Sequence, residues 1–355
     1  MSLQVGARAP LLQVPALTTP GFALGSLGGR YVVLAFLPQP GPERDAALAL
    51  VRRYGAQFED MSRVFFGVLP DAASFDTAVD DPPLRWFGDA SGDMARAFRA
   101  LDADGALAPQ WVILDPTLRV LAYAPLSDGE PLLAALAKRG PPQDHAGVPV
   151  HAPVLIVPRV FEPALCRQLV DLYDSQGGVP SGVMRQVDGK TVGVLDDFKK
   201  RSDTNVTDPA LLQTLRDRIA HRLLPEIQKV FQFPVTRIER YIVACYTAAD
   251  GGYFRAHRDN TTTGTAHRRF AVSINLNAEE FEGGDLRFPE FGPATYRPPT
   301  GGAVVFSCSL LHEATQVTKG VRYAFLPFLF DDAAEKIRLA NQQAIVPRAA
   351  AEARP

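Results

Sequence analysis

The sequence predicts two domains of different architecture, an α/β layer in the first half and an α+β barrel of the jelly-roll kind in the second. Three observations support this prediction. At 355 residues the chain is too long for one ordinary core. Strand-like and helix-like segments alternate in the first half, whereas two helices precede many short strands in the second. A stretch rich in glycine and proline, residues 140–152, lies between them and predicts a linker.

The first half alternates apolar runs with segments of helical spacing. The runs YVVLAFLP at 31–38 and RVFFGVLP at 63–70 have the length of buried strands, and a helical pattern follows each. The segment 110–124 is typical of two strands around a turn at Asp115–Pro116. Strands that alternate with helices predict a mainly parallel central sheet covered by helices.

The second half begins with two amphipathic helices and continues with short strands broken by Gly, Pro and Asn. The apolar positions in helical phase are Leu165, Cys166, Leu169, Val170 and Tyr173 in the first helix, and Leu212, Leu215, Ile219 and Leu223 in the second. Few large apolar side chains follow Val346, so we expect the end of the chain to fray. The predicted domain bounds are 1–139, 153–332 and a tail at 333–355.

Composition excludes several classes of protein. The formal net charge is -2, and hydrophobic and charged residues make up 46% and 21% of the chain, as in a soluble globular protein that does not bind nucleic acid. We find no apolar run of membrane-spanning length and no secretory signal pattern at the start. The cysteines number only 3, which favours a reducing compartment, and we expect the cytoplasm. The oligomeric state is not indicated.

The stretch CYTAADGGYFRAHRDNTT contains His257 and Asp259 two residues apart, just past a Gly-Gly break. Residues i and i+2 of a strand face the same way, so these side chains can point together into a barrel mouth. His312 follows another apolar run and can supply a third ligand. Two imidazoles and one carboxylate leave three open positions, which suits non-haem Fe(II) used in oxygen chemistry. A structural zinc site would close its fourth position, often with cysteine. The alternative is a set of polar residues without a metal.

Arg322 lies ten residues after His312, on the next predicted strand. A buried guanidinium is costly without a partner, but it becomes a strong and oriented anchor when a carboxylate binds it bidentately. An iron cosubstrate with a distal carboxylate would use such a group. The alternative is a structural ion pair.

Residues 152–330 resemble the prolyl-hydroxylase branch of the Fe(II)/2-oxoglutarate dioxygenases, in the strings VACY…GGYFRAHRDN and LHEATQVTKGVRYAFLPFLF. The resemblance implies a double-stranded β-helix that holds Fe(II), with 2-oxoglutarate as cosubstrate and ascorbate as a candidate reductant. It assigns the iron to His257, Asp259 and His312, and the distal carboxylate of 2-oxoglutarate to Arg322.

Two further positions follow from this resemblance. Tyr246 matches a tyrosine whose hydroxyl lines the cosubstrate pocket, although a strand tyrosine is as often a core residue. Close relatives have a second pocket tyrosine in the next strand, and this chain has Asn275 there. We therefore expect Tyr246 and Asn275 beside the cosubstrate.

The first half is similar to the opening of peroxiredoxins, which implies a thioredoxin-like fold, and Pro109 stands where that fold has a cis-proline. Peroxiredoxins carry a peroxidatic cysteine after the first buried strand. Here that stretch is LPQPGPERDAAL, and residues 1–165 contain no cysteine. Without a thiolate there is no nucleophile to attack peroxide, so this domain is predicted to be redox-inactive.

The function predicted from these features is hydroxylation of prolyl residues in a protein or peptide. Two alternatives remain: hydroxylation of a small molecule such as a free amino acid, and a binding or sensor protein with a redoxin-like docking domain. The charged run 196–203 suits either a solvated surface or part of a substrate-covering loop at 178–204. His267 is expected in a solvated loop, whereas Cys245 and Cys308 are expected as small core residues.

Overall fold

A computed structural model describes residues 3–187 and 189–346. The chain separates into two compact units. The first runs to Ala152 and includes Pro289–Pro293, and the second comprises Pro153–Phe288 and the chain from Ala294 onward. None of the helices in the described ranges combines the length and the hydropathy that crossing a membrane requires. The expectation for the chain after Val346 falls outside the described residues.

The first unit is one mixed sheet with helices. Its strands are β1 Gln13–Ala16, β2 Thr19–Ala23, β3 Tyr31–Phe36, β4 Arg63–Leu69, β5 Trp86–Gly88, β6 Gln110–Leu114 and β7 Val120–Pro125. Its helices are α1 Pro42–Arg53, α2 Ala72–Asp76, α3 Asp93–Ala97 and α4 Gly129–Ala137. The strand order is β2-β1-β5-β4-β3-β6-β7.

The prediction of a mainly parallel sheet is wrong. Only β3 with β4 and β4 with β5 pair in parallel, and the remaining neighbours are antiparallel. Two of the antiparallel pairs, β1 with β2 and β6 with β7, are hairpins, and strands joined by a short turn must run antiparallel. One of them is the predicted pair around Asp115, whose Oδ1 accepts hydrogen bonds from the backbone N–H groups of Thr117 and Arg119. The peptide before Pro109 is trans, and the cis peptide of the described residues is Pro82–Pro83.

Strand β3 shows why this sheet is covered on both sides. Its side chains alternate between two apolar clusters, with Val32 and Leu34 in one and Val33 and Ala35 in the other. Every residue of β3 is buried. A continuous apolar run of this length therefore forms a central strand with cores on both faces.

The second unit is rich in strands. They are β8 Leu155–Val157, β9 Val179–Pro180, β10 Val183–Val187, β11 Lys190–Val194, β12 Lys199–Lys200, β13 Ser202–Asn205, β14 Arg237–Glu239, β15 Ile242–Thr247, β16 Tyr253–His257, β17 Phe270–Asn275, β18 Phe281–Gly283, β19 Leu286–Arg287, β20 Thr295–Tyr296, β21 Ala303–Ser307, β22 His312–Ala314, β23 Val317–Phe325, β24 Phe328–Phe330 and β25 Ile345–Val346. The helices are α5 Pro163–Gln176, α6 Pro209–Arg222, α7 Leu224–Phe231 and α8 Asp332–Ala340.

Two sheets of this unit concern the site. The larger has the order β14-β24-β17-β23-β15-β13-β9, and β8, β18 and β21 join it at its sides. The smaller has the order β12-β16-β22-β19-β20. All pairings in these two sheets are antiparallel. A third sheet pairs β11 with β10 and with β25, so the segment predicted as a tail begins with a helix and a strand.

The helices before the barrel pack against the larger sheet. The two predicted amphipathic helices are confirmed as α5 and α6, and they share a core with Val243 and Phe325 of that sheet. Helix α6 begins at Pro209, where the side chain of Asp208 accepts a hydrogen bond from the Leu211 N–H at 2.7 Å. The apolar core therefore fills one side of the larger sheet.

Candidate metal centre

Antiparallel pairing brings two distant histidines together. His257 ends β16 and His312 begins β22, and the two residues are direct partners across the smaller sheet. Their ring centroids are 4.3 Å apart. The sequence separates these residues by 55 positions, so only the sheet register makes them neighbours.

Asp259 lies in the turn just after β16 rather than within the strand, which corrects the strand placement predicted for it. Its backbone N–H donates to the carbonyl of Cys308 at 2.9 Å, which ties the turn to the chain before β22. The carboxylate reaches both histidines: Oδ1 is 3.5 Å from Nε2 of His257, and Oδ2 is 3.3 Å from Nε2 of His312. One possible ligand atom from each of the three residues lies within 4.8 Å of the others.

Backbone contacts orient both imidazoles toward this carboxylate. Nδ1 of His257 is 2.8 Å from the carbonyl of Arg255, and Nδ1 of His312 is 3.0 Å from the carbonyl of Leu310. A carbonyl only accepts, so each Nδ1 must carry the proton and donate it. Each Nε2 then presents a lone pair to the centre, which is the arrangement that a metal-binding histidine requires.

The charge states also suit a cation. Burial lowers the pKa of His312 to about 4, and the neighbouring His257 adds to this shift against the opposing effect of Asp259. The imidazole of His312 is therefore neutral at neutral pH. The carboxylate of Asp259 then supplies the negative charge that a cation at the centre requires. The trio thus offers two imidazole nitrogens and one carboxylate.

Aromatic side chains enclose the histidine rings. Phe254 stacks on His257 with ring centroids 3.5 Å apart, and Phe306 lies 4.5 Å from the ring of His312. Phe288 lies 6.2 Å from the same ring. These rings exclude water from one side of the trio and fix the orientation of the imidazoles.

Arg322 and Tyr246 are direct partners on β23 and β15. Both are buried, and the guanidinium lies 5.1 Å from the centroid of the tyrosine ring. Its hydrogen bond goes to the hydroxyl of Ser273 at 3.0 Å, and among the described residues no carboxylate lies within 4.0 Å of it. Burial lowers the pKa of Arg322. A buried guanidinium with a neutral partner is well suited to bind a carboxylate.

Asn275 is also buried, at the end of β17. Its side-chain amide donates to the carbonyl of Pro298 at 2.8 Å, which gives it a structural contact. The residue of β17 that reaches Arg322 is Ser273, two positions earlier, and the sequence analysis missed it. Polar residues at alternate positions of an otherwise apolar strand were the available signal.

The expectation of a solvated His267 is wrong, and the charged run 196–203 is solvated only in part. His267 is buried, and its Nε2 lies 2.7 Å from Oε2 of Glu239. Within the charged run 196–203, Lys199 and Arg201 are also buried, and Lys199 lies on β12, which pairs with β16, the strand that carries His257. Charge alone could not distinguish these positions from solvated ones. The expectation for the cysteines is confirmed, since Cys166, Cys245 and Cys308 are buried free thiols.

Comparison with known proteins finds a family model that matches the part of the second unit that carries the trio. Residues 241–330 match the model of the 2OG-Fe(II) oxygenase superfamily. A PKHD-type hydroxylase of Pseudomonas fluorescens is 36% identical over 91 residues, which are 23% of this chain and 39% of that protein. The chain spans about two fifths of the length of the curated relatives that it matches.

Solved structures similar to parts of the chain include a prolyl-4-hydroxylase of Pseudomonas putida, with 17% identity over 53% of this chain and 95% of that chain and a TM-score of 0.36. A PrxQ mutant of Xylella fastidiosa shows 16% identity over 39% of this chain and 97% of that chain, with a TM-score of 0.33.

The second unit therefore contains a 2OG-Fe(II) oxygenase domain, whose superfamily uses Fe(II) as cofactor and 2-oxoglutarate as cosubstrate. The donor set of the histidine and aspartate side chains fits Fe(II), and the buried guanidinium beside it fits an anionic cosubstrate.

Proposed function

We propose that this chain is an Fe(II)- and 2-oxoglutarate-dependent hydroxylase that acts on prolyl residues in a protein or peptide. The observation that carries the proposal is the trio of His257, Asp259 and His312, with both Nε2 atoms directed at one carboxylate. The family match supports the reaction class. The resemblance to prolyl hydroxylases and the relative described as a PKHD-type hydroxylase support the substrate class.

In this proposal the trio binds Fe(II), and Arg322 binds the distal carboxylate of 2-oxoglutarate. Bound Fe(II) would supply activation of dioxygen, so that one atom of O2 enters a substrate C–H bond as a hydroxyl group and the other enters succinate, which forms from 2-oxoglutarate with release of carbon dioxide. The two imidazoles and the carboxylate would hold the ion with three protein ligands, which would leave coordination positions available to small molecules. Tyr246 fixes the direction of the Arg322 side chain, and Phe254 keeps water from the imidazole of His257.

The finer architecture is part of the same proposal. We assign residues 153–332 to a double-stranded β-helix and residues 1–139 to a thioredoxin-like, redox-inactive domain, with 140–152 as linker and 333–355 as C-terminal segment. The two antiparallel sheets around the trio support the first assignment, and the layered sheet of the first unit supports the second. The three free thiols favour a reducing compartment, so we propose the cytoplasm.

The test is release of succinate from 2-oxoglutarate by the full chain with Fe(II) and ascorbate. The substrates are a panel of prolyl peptides and free amino acids, and hydroxylated product is identified by mass spectrometry. We expect turnover that His312→Ala abolishes and that His221→Ala retains, because His221 is exposed on α6. Hydroxylation of free amino acids alone would favour the small-molecule alternative. No succinate release in any reaction would refute the hydroxylase and favour the sensor alternative.

A further inference from the structure

Two basic side chains of the second unit are buried beside the candidate metal centre. Lys199 on β12 is 9% exposed and Arg201, just before β13, is 8% exposed. Lys200 between them is exposed, as alternation along an extended strand predicts. The backbone therefore directs two positive charges inward and one outward.

Strand pairing places Lys199 near the proposed iron ligands. Lys199 is the partner of Phe254 across β12 and β16, and its Nζ lies 4.8 Å from the centroid of the Phe254 ring. That ring stacks on the imidazole of His257 with centroids 3.5 Å apart. One aromatic ring therefore connects the lysine with the metal centre.

Arg201 lies on the cosubstrate side of the centre. Its Nη1 is 3.4 Å from the hydroxyl of Tyr246, and its guanidinium lies 5.8 Å from the centroid of that ring. Arg322 approaches the same ring at 5.1 Å. Lys199 and Arg201 thus border the positions that we propose for Fe(II) and 2-oxoglutarate.

The protein balances only part of this buried positive charge. Nζ of Lys199 donates to the neutral acceptors Ser181 Oγ at 2.7 Å and the Gly182 carbonyl at 3.0 Å. Arg201 has one carboxylate partner, Asp203, at 2.7 Å, and it also donates to Ser181 Oγ at 3.3 Å. Over the described ranges, no carboxylate lies within 4.0 Å of the ammonium of Lys199.

Unused hydrogen-bonding capacity accompanies this excess of positive charge. Nε of Arg201 is buried without a hydrogen-bond partner. Burial and the charge of Arg201 lower the pKa of Lys199, and Asp203 does not offset them. Burying charge is costly unless an opposite charge is supplied. An anion beside Lys199 and Arg201 would therefore be stabilised.

We propose that Lys199 and Arg201 form a subsite that binds a carboxylate of the substrate. This inference rests on the proposed hydroxylase function. 2-Oxoglutarate does not supply this anion, because in that proposal its distal carboxylate is bound by Arg322 and its oxo-acid end by the metal. The preferred substrate is therefore acidic close to the hydroxylated carbon. The carboxylate belongs either to an aspartyl or glutamyl side chain next to the target residue, or to the α-carboxylate of a free amino acid.

The experiment compares matched acidic and neutral substrates with the full chain loaded with Fe(II) and 2-oxoglutarate. One pair is a prolyl peptide with glutamate beside the proline and the same peptide with glutamine. The other pair is free L-proline and L-prolinamide. In one of the two pairs we expect kcat/KM to be about ten- to a hundredfold higher for the acid than for the neutral compound. This ratio corresponds to the free energy of one charge-assisted hydrogen bond. The pair that shows this preference identifies the source of the carboxylate.

Variants assign the preference to the subsite. Lys199→Met should abolish most of the difference between acid and neutral substrate, mainly through KM, and Lys199→Arg should restore part of it. Lys200→Met removes the same charge from the exposed neighbour and should leave the preference unchanged. Equal rates for acid and neutral substrates in the wild type would overturn the subsite. The subsite would also be overturned if a folded Lys199→Met protein lost kcat/KM by the same factor for the acidic and the neutral member of each pair.

The proposed function and the subsite can fail separately. Absence of succinate release in the wild type with every substrate contradicts the hydroxylase. In that case, calorimetric titration of the same two pairs in the presence of Mn(II) and 2-oxoglutarate tests the subsite directly. The subsite is supported if the wild type binds the acid more tightly than the neutral compound and Lys199→Met abolishes this difference. Equal binding of acid and neutral compounds, or no binding of either, would overturn it.

Discussion

Tyr246 and Arg322 occupy directly opposite positions on β15 and β23, and the guanidinium of Arg322 lies 5.1 Å from the tyrosine ring. Directly opposite residues in an antiparallel pair project to the same face of the sheet. The tyrosine therefore restricts the arginine to one direction, and the hydroxyl of Ser273 takes one of its N–H groups. This arrangement leaves a planar donor group held in place for a carboxylate.

Removal of this guanidinium should weaken binding of 2-oxoglutarate without loss of iron. Arg322→Ala removes two charge-assisted hydrogen bonds of about 1.5–3 kcal/mol each, so the KM for 2-oxoglutarate should rise roughly a hundredfold or more. Arg322→Lys should fall between, because a point charge replaces a planar fork. Steady-state kinetics beside thermal unfolding checks this. A lower Tm with unchanged KM would mean that Arg322 has only a structural role.

Loss of either imidazole should remove the metal. His257→Ala and His312→Ala each leave one nitrogen and one carboxylate, so we expect stoichiometric Fe(II) in the wild type to fall by at least about tenfold in each variant. Metal analysis after anaerobic loading and desalting measures this. His221→Ala, on the exposed face of α6, is the matched control and should retain full loading. Full iron content in His257→Ala would rule out His257 as a ligand.

The clustering of His257, Asp259 and His312 was predictable from sequence because part of its evidence is local. His257 and Asp259 are only two residues apart, which keeps them close together although Asp259 lies in the turn after β16, and His312 follows a recognisable apolar run. The structure adds the pairing of β16 with β22, which makes His257 and His312 partners. The sequence alone contains no record of that register, because it depends on which strands meet across the barrel.

Long-range packing explains what the sequence analysis missed. Lys199 and His267 have the local surroundings of solvated residues, yet both are buried by strands and side chains distant in sequence. Ser273 becomes a partner of Arg322 only after β17 and β23 are placed side by side. The mixed sheet of the first unit has the same origin, since alternation of strands and helices does not report which strands form hairpins.

The first unit should not reduce peroxide. The stretch after β3 contains no thiol, and the three cysteines of the chain are buried in the second unit. Burial raises the pKa of Cys166 to about 11, which keeps that thiol protonated and unreactive at neutral pH. Metal-free full-length protein with dithiothreitol should consume hydrogen peroxide no faster than buffer. Saturable consumption that persists in the presence of a chelator would contradict this prediction.

Glu239 is the centre of a buried ion network next to the site. Its carboxylate contacts Nε2 of His267 at 2.7 Å and accepts two hydrogen bonds from Arg268, at 2.6 and 3.0 Å. Burial alone would raise the pKa of Glu239, but His267 and Arg268 outweigh it, and that pKa lies below the ordinary value of 4.5. The folded state therefore favours the ionised carboxylate more strongly than the unfolded chain does.

Ionised Glu239 should accordingly stabilise the folded protein at pH values above its ordinary pKa. This contribution to the free energy of unfolding should be lost in acid. A lowered pKa in the folded state stabilises the fold fully above the unfolded value of 4.5, and the contribution shrinks as the pH falls through the folded value. Glu239→Gln leaves Arg268 buried without its carboxylate partner, so we expect the free energy of unfolding to fall by about 3 kcal/mol at pH 7. Urea unfolding between pH 7 and pH 3 measures this. The difference in free energy of unfolding between wild type and Glu239→Gln should narrow below about pH 4.5.

The control is Glu226→Gln, which removes an exposed carboxylate 3.4 Å from Lys229. It should change the free energy of unfolding by less than about 1 kcal/mol at either pH. A difference between wild type and Glu239→Gln that stays constant with pH would show that the ionised carboxylate does not stabilise the fold.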